Sequence, residues 1–314
     1  MSKLKVCVVG YGYWGANHAR VLDELGCLSG IYDTAITNEP DIQYNVFKNI
    51  EEVIKSSDAA IISTPVKTHY SIAKELIPHL NLLVEKPLAL SKNECTELVN
   101  LSKEHNKVLM VGHQLHFHPA VLKMQEMVDN KELGSIKWVY SNRLNMGKIR
   151  SEENVLWSFA PHDISLMLSI VNSNINKLNV QGAYLVNKEI EDASLTSLEF
   201  ENGVKGHIFV SWFHPFKEQR FVIVGEEGTL VFSDTKEDNK LLKYKTAIDP
   251  DSLAIVDHET IKIKYDDSEP LKNQAVYFLE AIESRECKIN NGEHGLKVVE
   301  ILEMSSNLLM KKDS

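Results

Sequence analysis

Cysteine is scarce and scattered. Cys7, Cys27, Cys95 and Cys287 are the only four in 314 residues, and none belongs to a Cys-x-x-Cys pair. A disulfide framework is excluded, and a reducing cytoplasm is the expected compartment. Long apolar runs are missing too. None approaches the roughly 18 residues that span a bilayer, and strand-like sequence begins within a few residues of Met1, which leaves no room for a signal peptide. No basic block is present, and 44 acidic against 34 basic side chains leave a formal charge of -10. That balance argues against a general nucleic-acid surface. It does not exclude an anionic small molecule, which a few local Arg or Lys residues can hold. There is no internal repeat. What remains, 43% apolar and 25% charged, is the composition of an ordinary globular chain long enough for two domains.

What is present begins at the first residues, MSKLKVCVVGYGYWGANHARVLDEL. Lys5 to Val9 reads as a short buried parallel strand. Trp14 to Leu25 carries Ala19, Leu22 and Leu25 at helical spacing, and Gly26 stops it. Between them stand Gly10, Gly12 and Gly15. In a strand-to-helix setting Gly10 permits the tight turn, Gly12 lets a pyrophosphate approach the backbone, and Gly15 lets the helix lie close on the strand. The phosphates would rest on the free N–H groups of the helix N-terminus. Asp33 stands where a second strand should end, as a ribose-diol ligand requires. A dinucleotide site for NAD follows. The stretch after Asp33, TAITNEPDI, offers no Arg or Lys for the extra phosphate of NADP. Tyr13 and Trp14 flank the glycines and, with Tyr11, are expected to pack around the cofactor.

Strand and helix patterns alternate up to residue 118, which predicts a mostly parallel, doubly wound α/β sheet, a Rossmann domain over 1–118. Ligands of such sheets lie at the carboxyl ends of the strands. Those ends are Gly10–Gly15, Asp33, Ser63-Thr64-Pro65, Glu85-Lys86-Pro87 and Gly112-His113-Gln114. Residues 119–314 read as an α+β domain: a helix over PAVLKMQEMVDN, a strand over GSIKWVYSNRLNMG, a helix over PHDISLMLSIV, then a run of strands with hairpin turns at Asn202-Gly203 and Glu227-Gly228. Two helices close the chain. SDTKEDNK and IDPDSLAIVDHET read as polar surface loops. A mostly antiparallel sheet with helices on one face leaves the other face open, and an open apolar face predicts a homodimer or homotetramer formed through it.

Several side chains have two readings. Lys86 is a surface strand-end lysine, or a cation that holds a reacting oxygen at a cleft. His162 follows Pro161 near an expected helix N-terminus, where a capping or core histidine is the ordinary explanation. Trp157 is a core aromatic or a cover for the nicotinamide. Arg143 and Arg150 are solvated strand-edge charges, or anchors for a carboxylate or phosphate. His113, His116 and His118 would share a face on an extended strand, but no Cys or clustered carboxylate completes a ligand set, so no metal is expected. Gln114 is placed against cofactor or substrate, and the histidines along the cleft floor.

These residues together resemble the Gfo/Idh/MocA oxidoreductases. The resemblance rests on Gly10-x-Gly12-x-x-Gly15, Ser63-Thr64-Pro65 followed by His69, Glu85-Lys86-Pro87, Gly112-His113-Gln114 and His162-Asp163. It implies a Rossmann domain followed by an open-faced sheet domain, and hydride transfer between NAD and a secondary hydroxyl of a sugar. It implies that Lys86 holds the hydroxyl oxygen and His162 exchanges its proton, that Ser63, Thr64, Pro65, His69, Glu85 and Gln114 line the cofactor site, and that the Lys86–Pro87 bond is cis. Asp163 takes a lesser, substrate-side part. The family often places an Asp four residues before the histidine; here that residue is Ser158. Within the family, NVLWSFAPHDISLML and EHGLKVVEILE resemble dehydrogenases of nucleotide sugars in surface-polysaccharide pathways. The substrate so implied is a UDP-N-acetyl-amino-sugar uronate oxidised at C3. An inositol or free-sugar dehydrogenase and a keto-sugar reductase are alternatives of the same class, and a catalytically silent NAD-binding sensor is one of another class.

Overall fold

Val6–Val9 are all buried and form β1, after which the chain turns directly into α1 (Tyr13–Glu24). The computed structural model describes residues 4–36, 43–151, 153–186, 188–236, 238–248 and 251–310. The TNEPDI stretch, residues 37–42, lies outside them. The alternation continues through β2 (Leu28–Tyr32), α2 (Ile50–Ser56), β3 (Ala59–Ile62), α3 (His69–Leu76), β4 (Asn81–Val84), α4 (Lys92–Glu104) and β5 (Leu109–Val111). Two of these helices start where the sequence supplies an acceptor. The Asn49 side chain takes the Glu52 N–H, and the Ser91 hydroxyl takes the Glu94 N–H while the Glu94 carboxylate takes the Leu90 N–H. The five strands are parallel in the order β2-β1-β3-β4-β5. This is the doubly wound sheet that the alternation predicts.

The second sheet follows α5 (Pro119–Asp129). It is built from β6 (Ile136–Met146), then, after α6 (Val155–Val171), β7 (Ile175–Ala183), β8 (Ala193–Phe200), β9 (Lys205–Ser211), β10 (Phe213–Gly225), β11 (Gly228–Ser233), β12 (Leu241–Ile248) and β13 (Ile255–Lys262). Its order is β13-β12-β11-β10-β6-β9-β8-β7, antiparallel except for β6 beside β9. Helix α6 lies on β6, β8 and β9. Val139, Ser141, Ile208, Val210, Phe221 and Ile223 share one face by register and are buried. The other face carries Trp138, 39% exposed, with Tyr140 stacked on His207 at 5.0 Å between ring centres.

Four expectations are corrected. The last strand, expected over IKIKY from residue 261, is β13, which starts earlier, inside IDPDSLAIVDHET, and ends at Lys262, because Leu242 to Ile248 of β12 offer it an antiparallel partner; polarity on both faces hid its first part. Strand β7 has no counterpart in the sequence reading for the same reason. Gln114–Phe117 is a 3₁₀ turn, not extended, so His116 and His118 do not share a strand face. The chain divides into Met1–Gln114 with Glu269–Glu300, and Leu115–Ser268 with Ile301–Ser314. This division differs from a single break at 118. Helix α7 (Pro270–Ser284) belongs to the first unit: it buries Leu271, Ala275 and Phe278 and lies against α1, with Arg20–Glu269 and Lys272–Glu24 ion pairs at their edge. Helix α8 (Gly292–Met310) contributes its first part to one unit and its last part to the other. No described helix is long and apolar enough to cross a membrane.

His118 caps α5, its Nδ1 accepting the Ala120 N–H at 3.1 Å. Its neighbours are Phe232 and Tyr265, with Asp234 at 3.9 Å and Lys240 beyond. Burial lowers its pKa, and protonation would also remove the capping lone pair. A histidine with a depressed native pKa contributes stability that is complete above its unfolded value near 6.5 and is lost as pH falls below it. His118→Asn keeps a good cap. Urea denaturation should therefore show the wild-type chain losing more stability than the Asn variant as the pH falls from about 7.5 to about 5.5. Equal losses would remove His118 as a source of acid sensitivity.

Candidate active site

The glycine loop is held by backbone contact. A Cβ on Gly15 would lie 1.9 Å from the Gly10 carbonyl oxygen, so only glycine lets α1 approach β1 this closely. Gly10, at φ +91°, lies against Thr64, where a Cβ would come within 2.7 Å of the Thr64 backbone. Gly12 is the N-cap of α1, has no side-chain cap, and faces open space: a Cβ there would meet nothing within 4 Å. The first turn of α1 carries no acidic residue. Unsatisfied N–H groups, a positive helix end and a clear approach are the requirements of a pyrophosphate. At the end of β2 the Asp33 carboxylate accepts the Tyr11 N–H (2.7 Å) and the Ala35 N–H (2.8 Å). It is oriented by the loop and retains acceptor capacity for a ribose diol. Tyr13, 80% exposed, and Trp14 stand at the mouth of the loop in edge contact. These residues fit an NAD, with Asp33 on the ribose and the glycine loop on the phosphates.

The ends of β3 and β4 carry the remaining motifs of this unit. The Ser63 N–H donates to the Val9 carbonyl, and the Glu85 N–H to that of Ile62. Lys86 is half-buried and joined to Pro87 by a cis bond, as the family resemblance implies. Glu85 turns back: its Oε1 lies 2.8 Å from His18 Nε2, and its Oε2 accepts the Lys86 N–H at 3.2 Å. Gly112 leaves room for that carboxylate, which a Cβ would meet at 3.0 Å. His18 was not singled out from the sequence. Its signal is its place on the Gly15, His18, Ala19, Leu22 stripe of α1, a polar residue on the inner face. His69, expected at the cofactor, is 1% exposed; its Nδ1 lies 2.9 Å from the Pro87 carbonyl oxygen and its Nε2 2.9 Å from that of Thr64. It joins two loops rather than lining a surface. Burial lowers its pKa, and the two carbonyls push against that shift. Gln114 ends the unit, half-buried at the start of its 3₁₀ turn.

In the second unit His162 is half-buried on α6. It does not open the helix. Asn154 is the N-cap, accepting the Trp157 N–H, and Pro161 lies inside. Proline there removes the donor that would reach the Trp157 carbonyl, which is why the sequence suggests a start at that point. Ser158 is one turn before His162 and buried. The Trp157 indole N–H donates to the Ser306 hydroxyl at 2.8 Å, which ties it to α8. His116 meets the Ser165 hydroxyl at 2.8 Å.

The larger departure concerns Arg143 and Asp163. Arg143 is not a free anion anchor: its Nε donates to Asp163 Oδ2 at 2.7 Å and its Nη2 to Oδ1 at 3.2 Å. The Ser141 hydroxyl donates to the same carboxylate at 2.5 Å. Asp163 is 2% exposed. Burial pulls the Arg143 pKa down, but the Asp163 charge and hydrogen bonds outweigh it, and the net shift is upward. The residue next to His162 thus fastens α6 to β6. Arg150 is exposed beyond β6, its Nε 3.4 Å from Glu153.

With this geometry in view, comparison with known proteins is decisive. The oxidoreductase family with an NAD-binding Rossmann fold matches residues 4–113, and the GFO/IDH/MocA C-terminal domain matches residues 121–231. The chain belongs to the Gfo/Idh/MocA family. It is an NAD-binding oxidoreductase. A UDP-N-acetylglucosamine 3-dehydrogenase of Acidithiobacillus ferrooxidans is 24% identical over 217 residues, 67% of this chain and 68% of the relative. A scyllo-inositol 2-dehydrogenase (NAD(+)) of Bacillus subtilis is 27% identical over 185 residues, 55% of this chain and 54% of the relative. The solved structure of the Acidithiobacillus enzyme superposes with a TM-score of 0.87 at 20% identity, covering 98% of each chain. A levoglucosan dehydrogenase solved with NADH gives 0.84 at 17%, covering 99% of this chain and 98% of that one.

Two outcomes are expected. Asp33→Ser should relax a preference for NAD over NADP, read as the ratio of the two dissociation constants; an unchanged ratio would separate Asp33 from the ribose. Arg143→Met leaves a buried carboxylate unpaired and should cost about 3–5 kcal/mol in urea denaturation. Arg143→Met with Asp163→Asn should cost clearly less than the sum of the single changes, since the two residues share one interaction. Additive losses would show that the pair is not coupled.

Proposed function

We propose that this dehydrogenase oxidises C3 of a UDP-linked N-acetyl amino sugar to the 3-keto sugar, a cytoplasmic step toward surface polysaccharide. NAD, when bound, accepts the hydride. Lys86 holds the reacting oxygen as a cation beside the cofactor-binding loop, and His162 takes the hydroxyl proton, its ordinary pKa near 6.5 being suited to that exchange. The reading is carried by the match to UDP-N-acetylglucosamine 3-dehydrogenase across two thirds of both chains, together with the presence of Lys86 and His162. The uronate form of the substrate needs a cation for its carboxylate. Arg143 is committed to Asp163, so that task would fall to Arg150. The inositol dehydrogenase relative supports a second reading, oxidation of a free cyclitol. Trp138 and Leu195 on the open sheet face favour assembly with a second copy of the chain.

Incubation with NAD and a panel of UDP-N-acetylglucosamine, its uronate, free N-acetylglucosamine and scyllo-inositol tests the reading by mass spectrometry. Loss of two hydrogens from a UDP-sugar is the expected result. Turnover of scyllo-inositol alone would overturn it. Lys86→Met and His162→Asn should each lower kcat by at least about 100-fold with little change in NAD affinity. The double variant should lose much less than the product of the two effects. Near-normal turnover by His162→Asn would remove it as the base.

A further inference from the structure

Strands β6 and β10 pair regularly from Glu218 to Val224, with a one-residue shift at Gly225 and a larger break at the Phe213 end. Phe213 stands opposite Met146 and Glu218 opposite Leu144, so the four residues His214 to Lys217 face Asn145 alone. Three residues are in excess, and they must leave the sheet. The protrusion is ordered from within. His214 Nδ1 donates to the Phe216 carbonyl oxygen at 3.0 Å, and the two rings make an edge contact at 4.4 Å. At its base the Phe213 N–H donates to the Ser211 hydroxyl, and the Gly147 N–H to the Trp212 carbonyl. Yet the aromatic side chains are left in solvent: Phe213 is 44% and Phe216 59% exposed. Single exposed apolar residues are ordinary; two rings on a pinned bulge are not.

Cations stand on both adjoining segments, one of them, Arg150, shared with Glu153. Lys217 ends the bulge, and Lys148 and Arg150 lie on the neighbouring segment that leaves β6. Among the described residues neither lysine makes an ion pair. Glu218 beside them is taken by the Asn142 amide at 2.9 Å and lies 3.6 Å from Arg220. The position is also tied to His162. Gln219 pairs with Arg143, which holds Asp163, the residue after His162. Asn145, which the bulge faces, is two positions further along β6, roughly 7 Å. Aromatic faces for a base and flexible cations for phosphates, a short distance from the proton-transfer residue, are what the far end of a nucleotide sugar requires.

We propose that the bulge of β10 with the adjoining 148–150 segment binds the nucleoside diphosphate of the substrate: Phe216, supported by Phe213, stacks on the base, and Lys217 with Lys148 meets the diphosphate. The inference rests on the nucleotide-sugar reading above and assigns that reading's specificity to a surface distinct from Lys86 and His162.

The test is calorimetric titration of the full chain with UDP, which carries no sugar. The wild-type chain should bind it. Phe216→Ala and Lys217→Met, both at exposed positions, should each weaken UDP by roughly 5- to 100-fold, the range of a lost base stack or phosphate contact. KM for the UDP-sugar should rise by a similar factor, with kcat and NAD affinity unchanged. UDP affinity equal to wild type in both variants overturns the subsite while leaving the nucleotide-sugar reading in place. Failure of the wild-type chain to bind UDP overturns that reading and the subsite with it. A change of oligomeric state in the variants, read by sedimentation, reassigns the bulge to a contact between copies and also overturns the proposal.

Discussion

The first unit depends on one close approach of backbone to backbone. Gly15 sits so near the Gly10 carbonyl that any side chain would collide with it, and that contact sets the distance from α1 to β1. Everything at the loop follows from it. The helix N-terminus points its free N–H groups at a clear space over Gly12, the Tyr11 N–H is placed to orient Asp33, and Gly10 lies against Thr64. From Thr64 the constraint runs through His69 to the Pro87 carbonyl, next to Lys86. Both partners of the His69 ring are acceptors. A neutral imidazole donates to only one of them, whereas burial favours the neutral ring. The two demands oppose each other at a residue that connects the Thr64 loop to the Lys86 loop.

The second unit has a constraint of another kind. Ser141, Arg143 and Asp163 gather charge between a helix and a sheet whose other buried residues are apolar or neutral hydroxyls such as Ser165, Ser194 and Thr196. Such a pair is poor value as stabilisation, because the desolvation of two charges offsets most of their attraction. What it does supply is direction. A guanidinium meeting a carboxylate through Nε and Nη2 fixes the rotation and height of α6 against β6 more sharply than Val139 or Ile208 can, since apolar contacts tolerate sliding. Asp163 and His162 are consecutive on the helix, so fixing one fixes the backbone of the other.

The legibility of the chain divides along the same line. The cofactor half could be read from sequence because its chemistry belongs to the backbone. Gly10 and Gly15 mark positions where a side chain would collide with backbone, Gly12 leaves the approach to the helix end open, and Asp33 is found by counting from them. His69 was placed in the right loop but with the wrong neighbours, since burial on the inner side of α3 is a tertiary fact. The substrate half was less readable. Arg143 looked like a free cation because its partner lies twenty residues away on another element, and the register of an eight-stranded sheet has no local signature. Pro161 imitated a helix start inside α6. Strand β7 and the first part of β13 carry polar residues on both faces and lack the alternation that reveals a half-buried strand. Helix α7 shows its apolar stripe plainly, but a stripe does not name the surface that covers it.

Ser158 bears on the proton transfer proposed for His162. A carboxylate one turn before His162 would hold a positive charge on the imidazole and raise its pKa; serine does not. The neighbouring carboxylate, Asp163, is already matched by Arg143 and Ser141, so its charge is balanced locally rather than offered to the histidine. A base must be neutral before it takes a proton, and the ordinary histidine pKa near 6.5 meets that condition at about pH 7. Lys86 has the complementary requirement. In the proposed reaction it acts as a cation, which stabilises an oxygen that is gaining negative charge. The proposed division of labour therefore gives the oxygen to the lysine and the proton to the histidine.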